Sequence, residues 1–191
     1  MIPLRKRYNY CLFRYGIFIL MLAFLFSCAT VHNNIKESSG YNTSDLSAGT
    51  RQKISLLLRD LTGLGGNTDP AEAKQLAETS ICYSLYLADK YHLIRPPYLQ
   101  NILVRLGIKD RGLCYQWEDD LMKRLASLEL KSFTLHEGVA YKGSNLREHN
   151  SVVVTAKGQE FSRGIVLDPW RNSGDLYWAP VSDDKYPWKE R

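Results

Sequence analysis

Helical and strand-forming patterns occupy different halves of this chain, and that separation constrains the fold more than any other feature. Between Thr50 and Leu128, apolar residues recur at helical spacing in four segments that glycine and proline residues separate. From Lys131 onward, short β-like runs alternate with turn-forming residues. Helices that precede strands in this way predict an α+β domain, with N-terminal helices packed on a small antiparallel sheet.

The second helix has the clearest start signal. Asp69 is a suitable N-cap, Pro70 suits the first helical position, and Glu72 completes a capping box. The predicted helices are 50–61, 70–91, 98–106 and 112–128, and the predicted strands are 131–141, 151–156, 164–168 and 176–178.

The N-terminal segment has the pattern of a bacterial export signal. Gly16–Phe26 is a short uncharged apolar run, whereas a transmembrane helix needs about 20 apolar residues. Leu25-Phe26-Ser27-Cys28 looks like a lipobox, the site where the bacterial lipoprotein pathway acylates a cysteine and cleaves before it. We therefore expect a signal peptide at 1–27 and lipid on Cys28. An ordinary signal peptide, or an uncleaved anchor, is the alternative interpretation.

Charge and composition change after Cys28. The chain has 25 basic and 20 acidic residues, but four of the basic ones precede Cys28, which leaves 21 basic against 20 acidic. This near-neutral balance predicts no nucleic-acid partner. Residues 28–49 are polar and predict a flexible tether between the lipid and one domain at 50–191. Ala29, in place of the aspartate associated with inner-membrane retention, favours an outer-membrane anchor with the domain facing the periplasm.

Three residues in the folded part could perform nucleophilic chemistry. Cys114 falls in the first turn of the fourth predicted helix, where unpaired N–H groups and the helix dipole favour a thiolate. His149 opens one predicted strand and Asp168 closes another, so neighbouring strands can hold an imidazole against the sulfur and a carboxylate behind the imidazole. We predict Cys114 as nucleophile, His149 as base and Asp168 as the residue that orients His149.

The order Cys114, His149, Asp168 and the Leu167–Trp170 ending resemble the papain-like and transglutaminase-like cysteine enzymes. The resemblance is closer to the transglutaminase-like branch, which includes bacterial periplasmic cysteine proteases. This resemblance covers roughly residues 71–181. It implies a papain-like or transglutaminase-like core, and an envelope enzyme that hydrolyses or transfers amide or acyl groups through a thioester. The substrates it implies are proteins or peptidoglycan peptides, and no cofactor is expected.

An enzyme of this type needs donors for the oxyanion that forms during attack. The backbone N–H of Cys114 is the natural first donor. The side-chain candidates are Gln100, Asn101 and Gln116.

Other interpretations of the same residues stay open. Cys82 and Cys114 could form a disulfide in an exported protein, or Cys114 could be an inert buried thiol. A non-catalytic envelope lipoprotein could also bind a partner on a papain-like scaffold. A zinc site from Cys114, His136, His149 and Asp168 has suitable ligand types but lacks paired ligand spacing. His136 by itself is typical of a strand end.

The C-terminal segment is dense in aromatic residues. The favoured interpretation is that these rings cover the outer edge of the sheet, and the alternative is that they line a substrate cleft. Arg171 is interpreted as a surface pairing residue, and the alternative is that it clamps a substrate. The aromatic residues are Trp170, Tyr177, Trp178, Tyr186 and Trp188.

Overall fold

Four helices precede a five-stranded antiparallel sheet in the computed structural model, which describes residues 46–191. The α+β prediction is confirmed. The expected signal peptide, the lipid site Cys28 and residues 29–45 lie outside the described residues. The helices are α1 (Ala48–Thr62), α2 (Pro70–Lys90), α3 (Pro97–Arg105) and α4 (Cys114–Ala126). The strands are β1 (Phe133–Ala140), β2 (His149–Ala156), β3 (Ile165–Asp168), β4 (Tyr177–Pro180) and β5 (Trp188–Glu190).

Capping residues explain where the first two helices begin. Helix α1 starts at Ala48, two residues before the predicted start, because the Ser47 side chain accepts a hydrogen bond from Thr50 N at 3.1 Å. Asp69 caps α2 as predicted. The predicted capping box is wrong, however, because Glu72 accepts hydrogen bonds from the backbone N–H groups of Lys131 and Ser132, each at 2.8 Å. Glu72 therefore ties the start of α2 to the segment that enters β1.

The strand order β4-β3-β2-β1-β5 puts β2 in the middle of the sheet. Every residue of β2 is buried. Strands β2 and β3 are antiparallel, with Val152 opposite Leu167, so the start of β2 lies beside the end of β3. On the other side, Ala140 of β1 pairs with His149 and with Trp188 of β5, a strand that the sequence did not predict.

Helix α4 connects the helical layer to the sheet. It packs against β2 and β1 on one side and against α2 on the other. Trp117, Leu121 and Leu125 of α4 are buried almost completely, and burial of each such side chain contributes roughly 1.5–3 kcal/mol. This packing fixes the N-terminus of α4 near the start of β2. Among residues 46–191, no helix combines the length and apolar character that crossing a membrane requires.

Candidate active site

Helix α4 begins at Cys114, and side chains from the helix itself fix the turn that precedes it. Gln116 Oε1 accepts hydrogen bonds from Gly112 N at 2.8 Å and Leu113 N at 3.0 Å, as in one half of a capping box. Trp117 Nε1 donates to the Gly112 carbonyl at 3.1 Å. Gln116 and Trp117 thus fix the backbone turn that leads into the helix at Cys114.

Gly112 is required by this turn. Its φ is +133°, and a Cβ at this position would lie 2.5 Å from Gln100 Cγ. Gln100 is fully buried, accepts a hydrogen bond from Ile94 N at 3.0 Å and donates to the Arg111 carbonyl at 2.8 Å. Gln100 and Gln116 therefore hold the backbone around Cys114, and their prediction as oxyanion donors is wrong.

His149 and Asp168 form a buried pair at the edge where β2 starts and β3 ends. The His149 Nε2 atom donates to Asp168 Oδ2 at 2.6 Å, with the side chains 4% and 0% exposed. This bond sets the orientation of the ring and leaves Nδ1 as the nitrogen available to the sulfur. The structure therefore brings together His149 and Asp168, as the sequence predicted.

Cys114 completes the group, because its sulfur contacts both chain neighbours of His149 and contributes to the raised pKa of the imidazole. Burial disfavours the charged ring, but the Asp168 carboxylate and the Cys114 sulfur outweigh that effect and raise the pKa of His149 to about 9. The imidazole is thus held as an imidazolium at neutral pH, between a sulfur and a carboxylate.

The sulfur of Cys114 contacts Asn150 and Glu148, which flank His149 in the chain. Asn150 Nδ2 lies 3.8 Å from Cys114 Sγ, and the Glu148 carbonyl oxygen also lies 3.8 Å from it. Asn150 Oδ1 accepts a hydrogen bond from Arg191, which holds the amide in place. The residue that follows His149 therefore faces the sulfur, a contact that the sequence did not predict.

Arg171 supports the carboxylate from behind. Its Nε donates to Asp168 Oδ2 at 2.9 Å, and its backbone N–H donates to Asp168 Oδ1 at 3.1 Å. The other two guanidinium nitrogens bind Asp184 at 2.9 and 2.6 Å. Burial disfavours charge on Asp184, but Arg171 and a bond from Trp188 Nε1 lower the pKa of that carboxyl below its usual value.

The interpretation of Arg171 as a surface residue is wrong, since its side chain is only 10% exposed. A signal for its contact with Asp168 was present in the sequence. An aspartate commonly accepts a hydrogen bond from a backbone N–H a few residues later in a turn, and Arg171 lies three residues after Asp168. The contact between Asp184 and Arg171 has no comparable local signal, because the two residues are 13 positions apart in the chain and only the tertiary structure brings them together.

Three aromatic rings enclose the imidazole. The ring centroids of Trp170, Tyr186 and Trp188 lie 4.8, 5.0 and 5.4 Å from that of His149. Trp170 and Tyr186 also line the adjoining cavity, so for these two the interpretation as a cover for the sheet edge is wrong. Trp178 belongs to the edge strand β4 and donates to Asp60 of α1 at 3.0 Å, as expected for an edge cover.

A cavity of about 480 Å³ opens beside Cys114 and His149. Asn101 lines this cavity, and its Oδ1 accepts a hydrogen bond from Trp170 Nε1 at 3.1 Å, which leaves its Nδ2 group as a donor. Of the three predicted side chains, Asn101 is therefore the one that lines the cavity and stays a candidate to join the Cys114 backbone N–H as an oxyanion donor.

The alternative interpretations can be compared with the same geometry. Cys82 and Cys114 are both free thiols, and burial raises the pKa of Cys82 to about 12. His136 binds Glu190 at 2.6 Å and Thr155 at 2.9 Å, so it is not part of the site. Within the described range 46–191, no group of three metal-binding side chains is close enough to hold an ion.

Comparison with known proteins gives no independent indication of the family. A scan against protein-family models, a search of curated proteins and a search of solved structures found no match to this chain.

Proposed function

We propose that this domain is a cysteine enzyme of the papain-like or transglutaminase-like type, which hydrolyses or transfers amide or acyl groups through a thioester on Cys114. The observation that carries the proposal is the buried His149–Asp168 pair, joined at 2.6 Å, beside a cysteine at the first position of a helix. Nucleophile, proton carrier and orienting carboxylate are the parts that such chemistry requires. The open cavity at the sulfur supports the same conclusion.

Each residue has a distinct step in the proposed mechanism. The Cys114 thiolate attacks the carbonyl carbon, and the Cys114 backbone N–H and Asn101 stabilise the oxyanion. The His149 imidazolium then gives its proton to the leaving amine as the C–N bond breaks, which forms the thioester. Neutral His149 next accepts a proton from water, or from an acceptor amine, that attacks the thioester; the C–S bond then breaks, which releases the product and restores the Cys114 thiolate and the His149 imidazolium. Asp168 keeps the imidazole in the required orientation throughout.

The location of the enzyme is also part of this proposal. Lipid on Cys28 would tether the domain to the outer membrane on its periplasmic side. The substrates are then proteins or peptidoglycan peptides that the tether allows the domain to reach. A free Cys114 and an open cavity favour this enzymatic role over a binding module on the same scaffold.

The decisive measurement is site-resolved alkylation of the purified full chain with iodoacetamide at pH 6, read by peptide mass spectrometry. A cysteine without an imidazolium partner is less than about 1% thiolate at this pH, so Cys114 should react at least about tenfold faster than Cys82. The variant His149→Ala should slow alkylation of Cys114 at least about tenfold, whereas buried Cys82 should remain the slower thiol in both proteins. Cys82→Ala, as the matched control, should leave the Cys114 rate unchanged.

Two results would overturn the proposal. One is equal labelling of Cys114 and Cys82 in the wild-type chain. The other is a Cys114 rate that His149→Ala does not reduce, while circular dichroism shows that the variant is folded.

A further inference from the structure

The cavity beside Cys114 contains two arginine side chains that come from separate parts of the fold. Arg105 lies at the end of α3, and Arg147 lies in the loop between β1 and β2. The Arg147 guanidinium stacks on the Tyr141 ring, 4.0 Å from its centroid, so that contact holds the charge at the cavity wall.

No acidic side chain of the described domain neutralises either guanidinium. Among residues 46–191, no carboxylate forms a salt bridge with Arg105 or Arg147. Glu148 also lines the cavity, but its two carboxylate oxygens bind Gly143 N at 2.7 Å and Arg191 at 3.4 Å. The cavity thus has two uncompensated positive charges, although the chain after Cys28 is close to neutral.

We propose that this cavity binds the carboxylate of an anionic peptide substrate, held by Arg105 and Arg147 while the neighbouring amide reaches Cys114. Guanidinium groups present a planar fork of donors that matches a carboxylate, and both arginines are exposed, so a carboxylate that enters the cavity can reach them. This inference rests on the proposed function and adds its substrate class: peptides with a carboxylate close to the reacting amide. That carboxylate belongs to an acidic side chain or to a free C-terminus.

A matched pair of alkylating agents tests the charge preference. Iodoacetate and iodoacetamide carry the same leaving group and differ in one negative charge. The alkylation rate of Cys114 with iodoacetate divided by its rate with iodoacetamide therefore reports the electrostatic potential at the sulfur. The ratio should fall about tenfold in the full-chain double variant Arg105→Gln/Arg147→Gln, and raised salt should lower it in the wild type. Lys142→Gln, which removes a cation from the same loop outside this cavity, should leave the ratio unchanged.

Protection of Cys114 from iodoacetamide distinguishes the two sources of carboxylate. The probes are acetyl-Ala-Glu-Ala-amide, acetyl-Ala-Ala-Ala with a free C-terminus, and neutral acetyl-Ala-Ala-Ala-amide. At least one anionic peptide should protect more strongly than the neutral one, and the peptide that does so identifies the source.

The inference is overturned if the double variant keeps the wild-type ratio, if Lys142→Gln lowers the ratio equally, or if all three peptides protect alike. These outcomes are separable from failure of the proposed function, which would appear as a loss of selectivity for Cys114 over Cys82 with iodoacetamide alone. Circular dichroism and a thermal melt of the double variant establish that it is folded.

Discussion

Replacement of Asp168 by asparagine should change how the stability of the domain depends on pH. In the wild type, the pKa of His149 rises from 6.5 to about 9 on folding, against the effect of burial, because of Asp168 and Cys114. That difference corresponds to about 3 kcal/mol of folding free energy. Because the folded-state pKa of His149 is raised, protonation of the ring stabilises the fold. This stabilisation is fully present below the unfolded-state pKa of 6.5, and it is lost as the pH rises through the folded-state pKa of about 9.

Asparagine keeps the shape of the side chain but removes the charge that stabilises the imidazolium. The unfolding free energy of the wild type minus that of Asp168→Asn should therefore fall by up to about 3 kcal/mol between pH 6 and pH 10, the part that Cys114 contributes being common to both proteins. The buried Glu118 carboxyl, whose pKa burial raises to about 7, titrates in both proteins and cancels in this difference.

Urea unfolding at pH 6, 7, 8, 9 and 10 measures the difference, and an NMR titration of the His149 ring gives its pKa directly. The pKa of the ring should be about 9 in the wild type and well below that value in Asp168→Asn, because only Cys114 then opposes the effect of burial. Parallel stability curves for the two proteins, or a wild-type His149 that titrates near 6.5, would refute the assignment of this carboxylate as the charge partner of the imidazole.

Two further substitutions test the structure around the pair. Arg171→Met removes the partner of two buried carboxylates and should cost about 3–5 kcal/mol in urea unfolding at pH 7. Arg59→Met removes an exposed arginine that pairs with half-buried Asp60, and should cost at most about 1 kcal/mol. Equal losses in the two variants would contradict the support role of Arg171. Gly112→Ala places a Cβ at an unfavourable φ and against the Gln100 side chain. It should therefore destabilise the fold more than Gly158→Ala does, and it should slow alkylation of Cys114. Gly158→Ala has φ +82° and no atom within 4 Å, so it should cost only about 1–2 kcal/mol of backbone strain and leave alkylation unchanged.

Local patterns in the sequence were sufficient to predict the helices and four of the five strands, and the same patterns led to the prediction of Cys114, His149 and Asp168 as the central residues of the candidate site. Asp69 and Pro70 fix the start of α2 through contacts within a few residues, and alternation or continuous β-branched runs identify β2 and β3. Strand β5 escaped prediction because its three residues have no pattern of their own and pair only where β1 presents a free edge. Glu72 was assigned to its own helix because its actual partners, Lys131 and Ser132, are distant in the chain.

The sequence by itself determined which chemical groups are available: a thiol at a helix start, an imidazole at one strand end and a carboxylate at the next. Only the tertiary structure decided what surrounds them. Arg171 reaches Asp184, Asn150 faces the sulfur, and Trp170 orients Asn101 because the packing of α3, α4 and the sheet brings these residues together. The physical reason is the sequence separation of the interacting residues. Hydrogen bonds within a turn join residues that are close in the chain, so local sequence predicts them. Ion pairs and ring contacts between elements depend on how those elements pack.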